Sequence, residues 1–314
     1  MHNYCTLFNS NYLTRGLAMY ESLKTHSGSF HLFIFAFDDR SFNLLNKLQL
    51  DFVTVISLQE FEDNQLLAVK DSRSAGEYCW TCTPSIIKYS IEHYTLDSCT
   101  YLDADLYFFG DPAILLNEIG DKSILITEHR YTPKYDQSST SGIYCVQFMT
   151  FKNTKQGIEA LTWWRNACLD WCYSRVEDGK FGDQKYLDDW TTRFEGVHVL
   201  QHLGGGVAPW NIQQYDLEKK EFQIIFYHFQ NFRFLDNNQL ELSIYPLKKN
   251  VLRSIYKPYL LHLERLKQTL LQYDSYDYHG TAKLPTDWKN FFRNIKRILQ
   301  NRYNIYTKTY IEEL

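Results

Sequence analysis

The sequence predicts an α/β protein: a mixed, mostly parallel sheet flanked by helices, with a helical C-terminal appendage. Three observations predict it. Apolar runs of strand length alternate with helix-period segments through the first half of the chain. Those runs are nearly continuous, as in strands buried on both faces. Short links join them, and strand–helix–strand repetition with short links specifies a parallel sheet covered by helices.

The elements follow in order. "YCTLFN" (4–9) reads as the first strand, and Asn9 or Ser10 can cap a helix with Leu13, Leu17 and Tyr20 on one face. "HLFIFAF" (31–37) is a buried strand, then a helix carries Phe42, Leu45 and Leu48, and "FVTVIS" (52–57) is a third strand. "TPSIIKYSIEHY" (83–94) reads as a helix with Thr83 at the N-cap and Pro84 at the first helical position. "CTYLD" (99–103) and "SILIT" (123–127) are further strands. Beyond residue 130 come "GIYCVQFMTF" (142–151), a helix near 154–175 with Trp163, Trp164 and Trp171, and the strands "VHVL" (197–200) and "FQIIFYHF" (222–229). Since no repeat or Pro/Ser-rich linker divides them, one domain is expected over residues 1–250 and a C-terminal extension over 251–314.

Composition narrows the classes. Of 314 residues 44% are apolar, enough for a large core. Aromatics reach 17%, which fits stacking on flat or sugar-like ligands and equally an aromatic-rich core. Net charge is −4, and no basic block appears in the first 280 residues, so nucleic-acid binding has no support. Seven cysteines, including a lone Cys79–Cys82 CxxC, follow no disulfide or zinc pattern and read as reduced and mostly buried. The N-terminus lacks a signal pattern and no apolar run reaches ~18 residues, so a cytoplasmic protein is expected.

The chemistry concentrates in "CTYLDADLYFFGDP" (99–112). Asp103 and Asp105 follow an apolar strand, where ligands of open α/β sheets bind. On extended backbone, residues i and i+2 point the same way, and two such carboxylates suit Mg²⁺ or Mn²⁺. A turn in which each Asp accepts from backbone N–H groups is the alternative. Other segments accompany it in order: "TLFNSNY" (6–12), Lys88, "SGIYCVQFMTFKN" (141–153), "GDQKYLDDW" (182–190), "GGGVAPWN" (204–211) and "IIFYHFQNF" (224–232).

This series resembles the GT-A glycosyltransferases, and within them it is most similar to family 8 and its relatives, over roughly residues 4–232. The resemblance implies a Rossmann-like GT-A fold and a nucleotide-sugar donor, most simply a UDP-sugar. It also implies Mn²⁺ or Mg²⁺ held by Asp103, Asp105 and His228, with Asp103 also near the ribose. Thr6, Leu7, Phe8 and Tyr12 match the base-binding segment, Lys88 a basic residue near the donor, and Gly142 a close-approach glycine beside the sugar. Asp183 and Gln184 match the Asp-Gln pair at the anomeric centre, and this pair leans towards transfer with retention. Where the family carries a glycine and then Lys-Pro-Trp after the late His, this chain has "HFQNFRF", so Arg233 is the candidate for the phosphate charge.

Plain alternatives stand beside these roles. Asp183 can cap a helix, Asp188 and Asp189 can lie on a solvated face, Trp210 can be a core residue instead of a sugar platform, and the glycine run can be a plain loop. Arg73 contacts a phosphate or pairs with Glu77. The C-terminal Trp288, Phe292, Ile295, Leu299 and Tyr303, with Lys289, Arg293, Lys296, Arg297 and Arg302, form a basic amphipathic pattern. Such a helix rests on an anionic membrane or packs on protein. The expected function is sugar transfer to the hydroxyl of a glycan, lipid-linked or protein acceptor, in bacterial-type surface glycan assembly. A nucleotidyltransferase and a non-catalytic carbohydrate-binding protein are the alternatives.

Overall fold

The predicted apolar runs become β1 (His2–Phe8), β2 (Phe30–Ala36), β3 (Val53–Ser57) and β4 (Ser98–Leu102), all paired in parallel. The computed structural model describes residues 1–219, 222–283, 288–300 and 302–314; the side chain of Lys289 lies outside the described residues. β5 (Leu106–Phe108) leaves the sheet, and β6 (Ile124–Glu128), β7 (Tyr144–Lys152) and β8 (Val197–Val199) complete it in the order β3-β2-β1-β4-β7-β6-β8. β7 alone runs against its neighbours β4 and β6, so the sheet is mixed but mostly parallel, as expected.

Alternation along the strands divides the core into two layers. Tyr4, Phe8, Leu102 and Phe148 face the helices Leu13–His26 and Lys257–Leu270. Cys5, Leu7, Tyr101 and Met149 face the helices Ala75–His93 and Lys155–Asp170, beside Trp164 and Trp190. All seven cysteines are free and six are buried.

The helix read with Thr83 at its N-cap is capped nine residues earlier, at Ser74. Ser74 and Glu77 close a capping box, which satisfies two orphan N–H groups and outcompetes the Thr83–Pro84 start signal. Pro84 sits inside the helix and Thr83 donates to the Cys79 carbonyl at 3.2 Å. Glu77 is thus occupied, accepting from Ser74 N at 2.8 Å and Ser174 N at 2.7 Å, and does not pair with Arg73. Arg73 instead lies 3.8 Å over the Tyr173 ring and donates to the Leu169 carbonyl.

"FQIIFYHF" yields only β9 (Phe226–His228), which pairs antiparallel with β5 away from the main sheet. The C-terminal stretch adds β10 (Arg233–Leu235), β11 (Gln239–Glu241) and β12 (Ile305–Thr307) as a small antiparallel sheet. Leu252, Tyr259, Leu263, Tyr278 and Ile311 join the core layer of Tyr4 and Phe8. On the helix Trp288–Leu299, Trp288 and Leu299 are exposed while Arg297 turns inward to Glu241 at 2.6 Å. Among the described residues no helix is long and apolar enough to cross a membrane.

Glu264 fastens this stretch. Lys308 donates to its Oε1 and His279 Nε2 lies 3.5 Å from the same oxygen. Burial would raise its pKa, but these two neighbours outweigh it and hold the carboxyl at about 2. A carboxyl lowered on folding stabilises above its unfolded value and loses that contribution as pH falls through the folded one. Thermal melts should therefore show Glu264-dependent stability that is full above pH ~4.5 and disappears towards pH ~2. Glu264→Gln should remove that slope and cost on the order of 2–3 kcal/mol at pH 7.

Candidate functional site

β4 stops at Leu102, and the chain then turns instead of extending. Asp103 N donates to the Gln147 carbonyl at 3.0 Å, and Leu106 N donates back to the Asp103 carbonyl at 3.2 Å. Asp103 and Asp105 are therefore aimed by a tight turn, not by the pleat of a strand. β5 returns from the turn and pairs with β9 so that Leu106 faces His228. Phe229 N donates to the Asp105 carbonyl at 3.0 Å and locks that register. His228 Nε2 then lies 3.1 Å from Asp105 Oδ1 and 3.5 Å from Asp103 Oδ2. One ligand atom from each of the three falls within 4.8 Å of the others.

The electrostatics follow. Burial drives the His228 imidazole towards neutrality, but the facing carboxylates, Asp105 first, overcome it and raise its pKa well above the ordinary value. Burial also works against ionised Asp105, yet His228, with Arg15 behind it, lowers the Asp105 pKa. Asp103 is raised, by burial and by Asp105, against the pull of His228, and Tyr101 donates to its Oδ1 at 2.7 Å. Asp183 is buried, and burial with Asp103 nearby pushes it up to about 8. Two carboxylates and an imidazole are a donor set for a hard or borderline divalent cation. The surroundings fit a polar guest. Among the described residues, the buried Thr6 Oγ1, both amide atoms of Gln147 and His228 Nδ1 have no hydrogen-bond partner.

The other sequence-derived candidates divide into groups. Asp183 lies beside Asp103 and Thr83, held by its carbonyl accepting from Trp164 Nε1 at 2.9 Å. It precedes a 3₁₀ turn that it does not cap. Gln184 donates to the Ser141 carbonyl, and Gly142 packs on Gln184 and Lys185. Gly142 thus stands against the Asp183–Gln184 segment, before β7 begins, and on β7 it is Gln147 that meets the acidic turn, through its carbonyl. Asp188 is not on a solvated face: it accepts from Ile143 N at 2.7 Å and pairs with Lys185. In the base-binding segment Thr6, Leu7 and Phe8 are buried, Phe8 pressed against Gly16, so their side chains are not free to stack. Tyr12 is 42% exposed and lies in electrostatic reach of Asp105, Arg15 and Arg233.

Lys88 is turned to Glu92, towards the helix end away from the turn, and Arg73 is used as described above. Trp210 is a core residue. Its Nε1 donates to the His129 carbonyl at 2.8 Å, and its ring meets His228 edge-on at 5.5 Å. The glycine run is packed, not flexible. A side chain on Gly204 would strike the Gln223 carbonyl, and Gly206 has φ +85°.

Sequence reasoning missed Tyr101, Gln147 and Arg15. Tyr101 sits two residues before Asp103, where the strand period could have found it. Gln147 is one polar residue inside an apolar run, at a bulge where Leu125 pairs with Thr150 but Thr127 with Cys145. Arg15, enclosed on the first helix, left no pattern.

No family model matches the chain. It is 31% identical to the Bacillus subtilis (strain 168) protein YfnD over 276 residues, 84% of this chain and 89% of that protein. With YfnF of the same organism it shares 28% identity over 286 residues, 85% of this chain and 94% of that protein. Both relatives are uncharacterized. Among solved structures, the galactosyltransferase LgtC, in complex with donor and acceptor sugar analogs, aligns with a TM-score of 0.54 at 11% identity. That match covers 92% of this chain and 99% of the other. The fold is that of the GT-A glycosyltransferases.

Calorimetric titration with Mn²⁺ tests the trio. Asp105→Ala and His228→Ala should each weaken binding by at least ~10-fold, as losing a ligand does, while Lys88→Ala should leave it unchanged.

Proposed function

The chain belongs to the family of Bacillus subtilis YfnD, and from its acidic trio we propose that it is a metal-dependent glycosyltransferase using a nucleotide-sugar donor. The observation that carries this reading is the convergence of Asp103, Asp105 and His228 within 4.8 Å at the carboxyl edge of a GT-A sheet. Asp103, Asp105 and His228 would hold Mn²⁺ or Mg²⁺. Such a cation, when bound, offsets the charge that develops on the departing diphosphate. Tyr12 offers a ring face for the base, UDP being the proposed carrier. Arg233, exposed beside Tyr12, offers a guanidinium fork to the phosphates in place of the missing Lys-Pro-Trp. Kinship with family 8 is part of this reading.

Transfer is proposed to proceed with retention. An inverting enzyme needs a carboxylate base at the acceptor hydroxyl. Burial and the neighbouring Asp103 raise Asp183 and favour its neutral form, which suits a hydrogen-bond donor to the sugar. Asp183 and Gln184 would orient the sugar. The bond from the anomeric carbon to the phosphate oxygen breaks, the acceptor oxygen attacks the same face, and its proton passes to the departing phosphate. The acceptor hydroxyl is proposed to belong to a bacterial surface glycan or its lipid-linked precursor, on the cytoplasmic side of the membrane.

A panel of nucleotide-sugars with Mn²⁺ tests this by release of nucleoside diphosphate. One donor should be hydrolysed slowly, and Asp105→Ala should lose at least ~100-fold of that rate. Arg233→Ala should raise the donor KM about tenfold with kcat little changed. Pyrophosphate as product would instead indicate nucleotidyl transfer, and no donor-dependent product would sink the transferase reading.

A second proposal concerns the helix Trp288–Leu299, whose Trp288, Ile298 and Leu299 are exposed beside Arg293 and Lys296. We propose that it rests on an anionic membrane surface. Sedimentation with phosphatidylglycerol vesicles should carry the protein down and phosphatidylcholine vesicles should not. Trp288→Ser with Leu299→Ser should abolish the difference; equal behaviour of the wild type with both lipids would overturn it.

A further inference from the structure

Arg15 is 3% exposed, close to the acidic trio. Among the described residues it has no carboxylate partner in contact. Its two terminal nitrogens donate to main-chain carbonyls, Nη1 to His279 at 2.8 Å and Asn11 at 3.3 Å and Nη2 to Phe232 at 3.4 Å, while among the described residues its Nε has no hydrogen-bond partner. Its Cζ lies 4.5 Å from the Tyr12 ring, 5.7 Å from Phe234 and 5.9 Å from Phe232. A charge so enclosed is stable only while those carbonyls stay in place.

The three carbonyls belong to segments far apart in sequence. Asn11 lies in the turn that presents Tyr12. Phe232 ends the turn after His228, where Phe232 N donates to the Phe229 carbonyl at 2.9 Å, and it directly precedes Arg233. His279 lies in a strap, Tyr276–Gly280, that docks on the Tyr12 turn. Tyr276 donates to Asn11 Oδ1 at 2.7 Å, and Thr14 Oγ1 meets the Tyr278 carbonyl at 3.2 Å and His279 Nδ1 at 2.9 Å. Gly280 has φ +61°, and a Cβ there would come 2.7 Å from the Asn11 carbonyl oxygen, so the strap seats backbone against backbone. Tyr12 and Arg233, the two exposed groups proposed for base and phosphate, thus stand on segments joined through one cation.

We propose that Arg15 is a positioning residue for the nucleotide diphosphate: it locks the Tyr12 turn, the turn after His228 and the strap together, and so sets donor affinity without taking part in transfer. The proposal rests on the nucleotide-sugar reading of the site. Lysine could not replace it, because one ammonium cannot span three carbonyls in a planar fork. His228 is held independently by β9, through its N–H to the Val207 carbonyl at 2.9 Å, so metal binding is separable from this role.

The test uses the full chain as wild type, Arg15→Lys, Gly280→Ala and the double variant. Binding of Mn²⁺ alone, and of UDP with Mn²⁺, is followed by calorimetry, and the donor KM and kcat by product release. Arg15→Lys should bind UDP at least ~10-fold more weakly and raise donor KM to match, with kcat and Mn²⁺ affinity within about threefold of wild type. Gly280→Ala should weaken UDP binding similarly, and the double variant should be no more than about twofold worse than the weaker single variant, because both changes release the same joint. UDP binding by Arg15→Lys within about threefold of wild type, a loss confined to kcat, or fully additive losses would each overturn the proposal. If Arg15→Lys fails to fold, Gly280→Ala decides alone, and unchanged UDP affinity overturns it. A wild type that binds no nucleoside diphosphate overturns the donor reading and this inference together; wild-type binding that Arg15→Lys leaves intact overturns only the inference.

Discussion

Two carboxylates one residue apart can face the same point only if something between them lessens their repulsion, and in this protein that group is His228. Its Nε2 sits 3.1 Å from Asp105 and 3.5 Å from Asp103, and the surrounding architecture secures that contact. The chain must turn sharply after β4, return as β5 and meet β9 in one register. A slip of one residue would carry the imidazole to the opposite face. Aromatic packing guards the register: Phe226 stacks on Phe148 at 5.2 Å, Tyr227 meets Tyr256 and Phe229, and Trp210 closes against His228 itself. The high aromatic content thus serves the core that aims the site.

The same logic extends to the C-terminal stretch. Its helix Lys257–Leu270 lies on the helix Leu13–His26, and its strap seats on the turn that follows β1. A buried cation, Arg15, and a lowered carboxyl, Glu264, each bind parts of the chain more than two hundred or more than forty residues apart, respectively. Such groups add little net stability over apolar packing but penalise wrong arrangements heavily, because a misplaced neighbour leaves a buried charge alone. In the proposed transferase, this is how a chain lacking Lys-Pro-Trp keeps its cationic side in place.

Much of the fold was legible because its signals are local. β1 to β4 appear where the continuous apolar runs stand, and β4 ends at Leu102, one residue before the acidic pair. The helix start at Thr83–Pro84 was misread because two capping signals compete in one segment, and the Ser74–Glu77 box satisfies more backbone groups. The sequence leaves Trp210 open between core and sugar platform, and the rings of Trp210 and Phe8 prove buried; burial, which the sequence does not carry, decides whether a ring is available.

By itself the sequence determined the alternation of elements, the acidic pair at a strand end, the late histidine and the missing phosphate motif, all of which depend on residue order and local periodicity. The tertiary structure alone decided that His228 meets Asp105, that Gln147 stands level with the acidic turn, and that Lys88 and Arg73 face elsewhere. It alone revealed Arg15 as a buried tie between three segments. Those facts depend on the pairing of β5 with β9, a bulge in β7 and the docking of a strap on a distant turn. Such contacts are set by packing between remote segments, and no short stretch of residues encodes them.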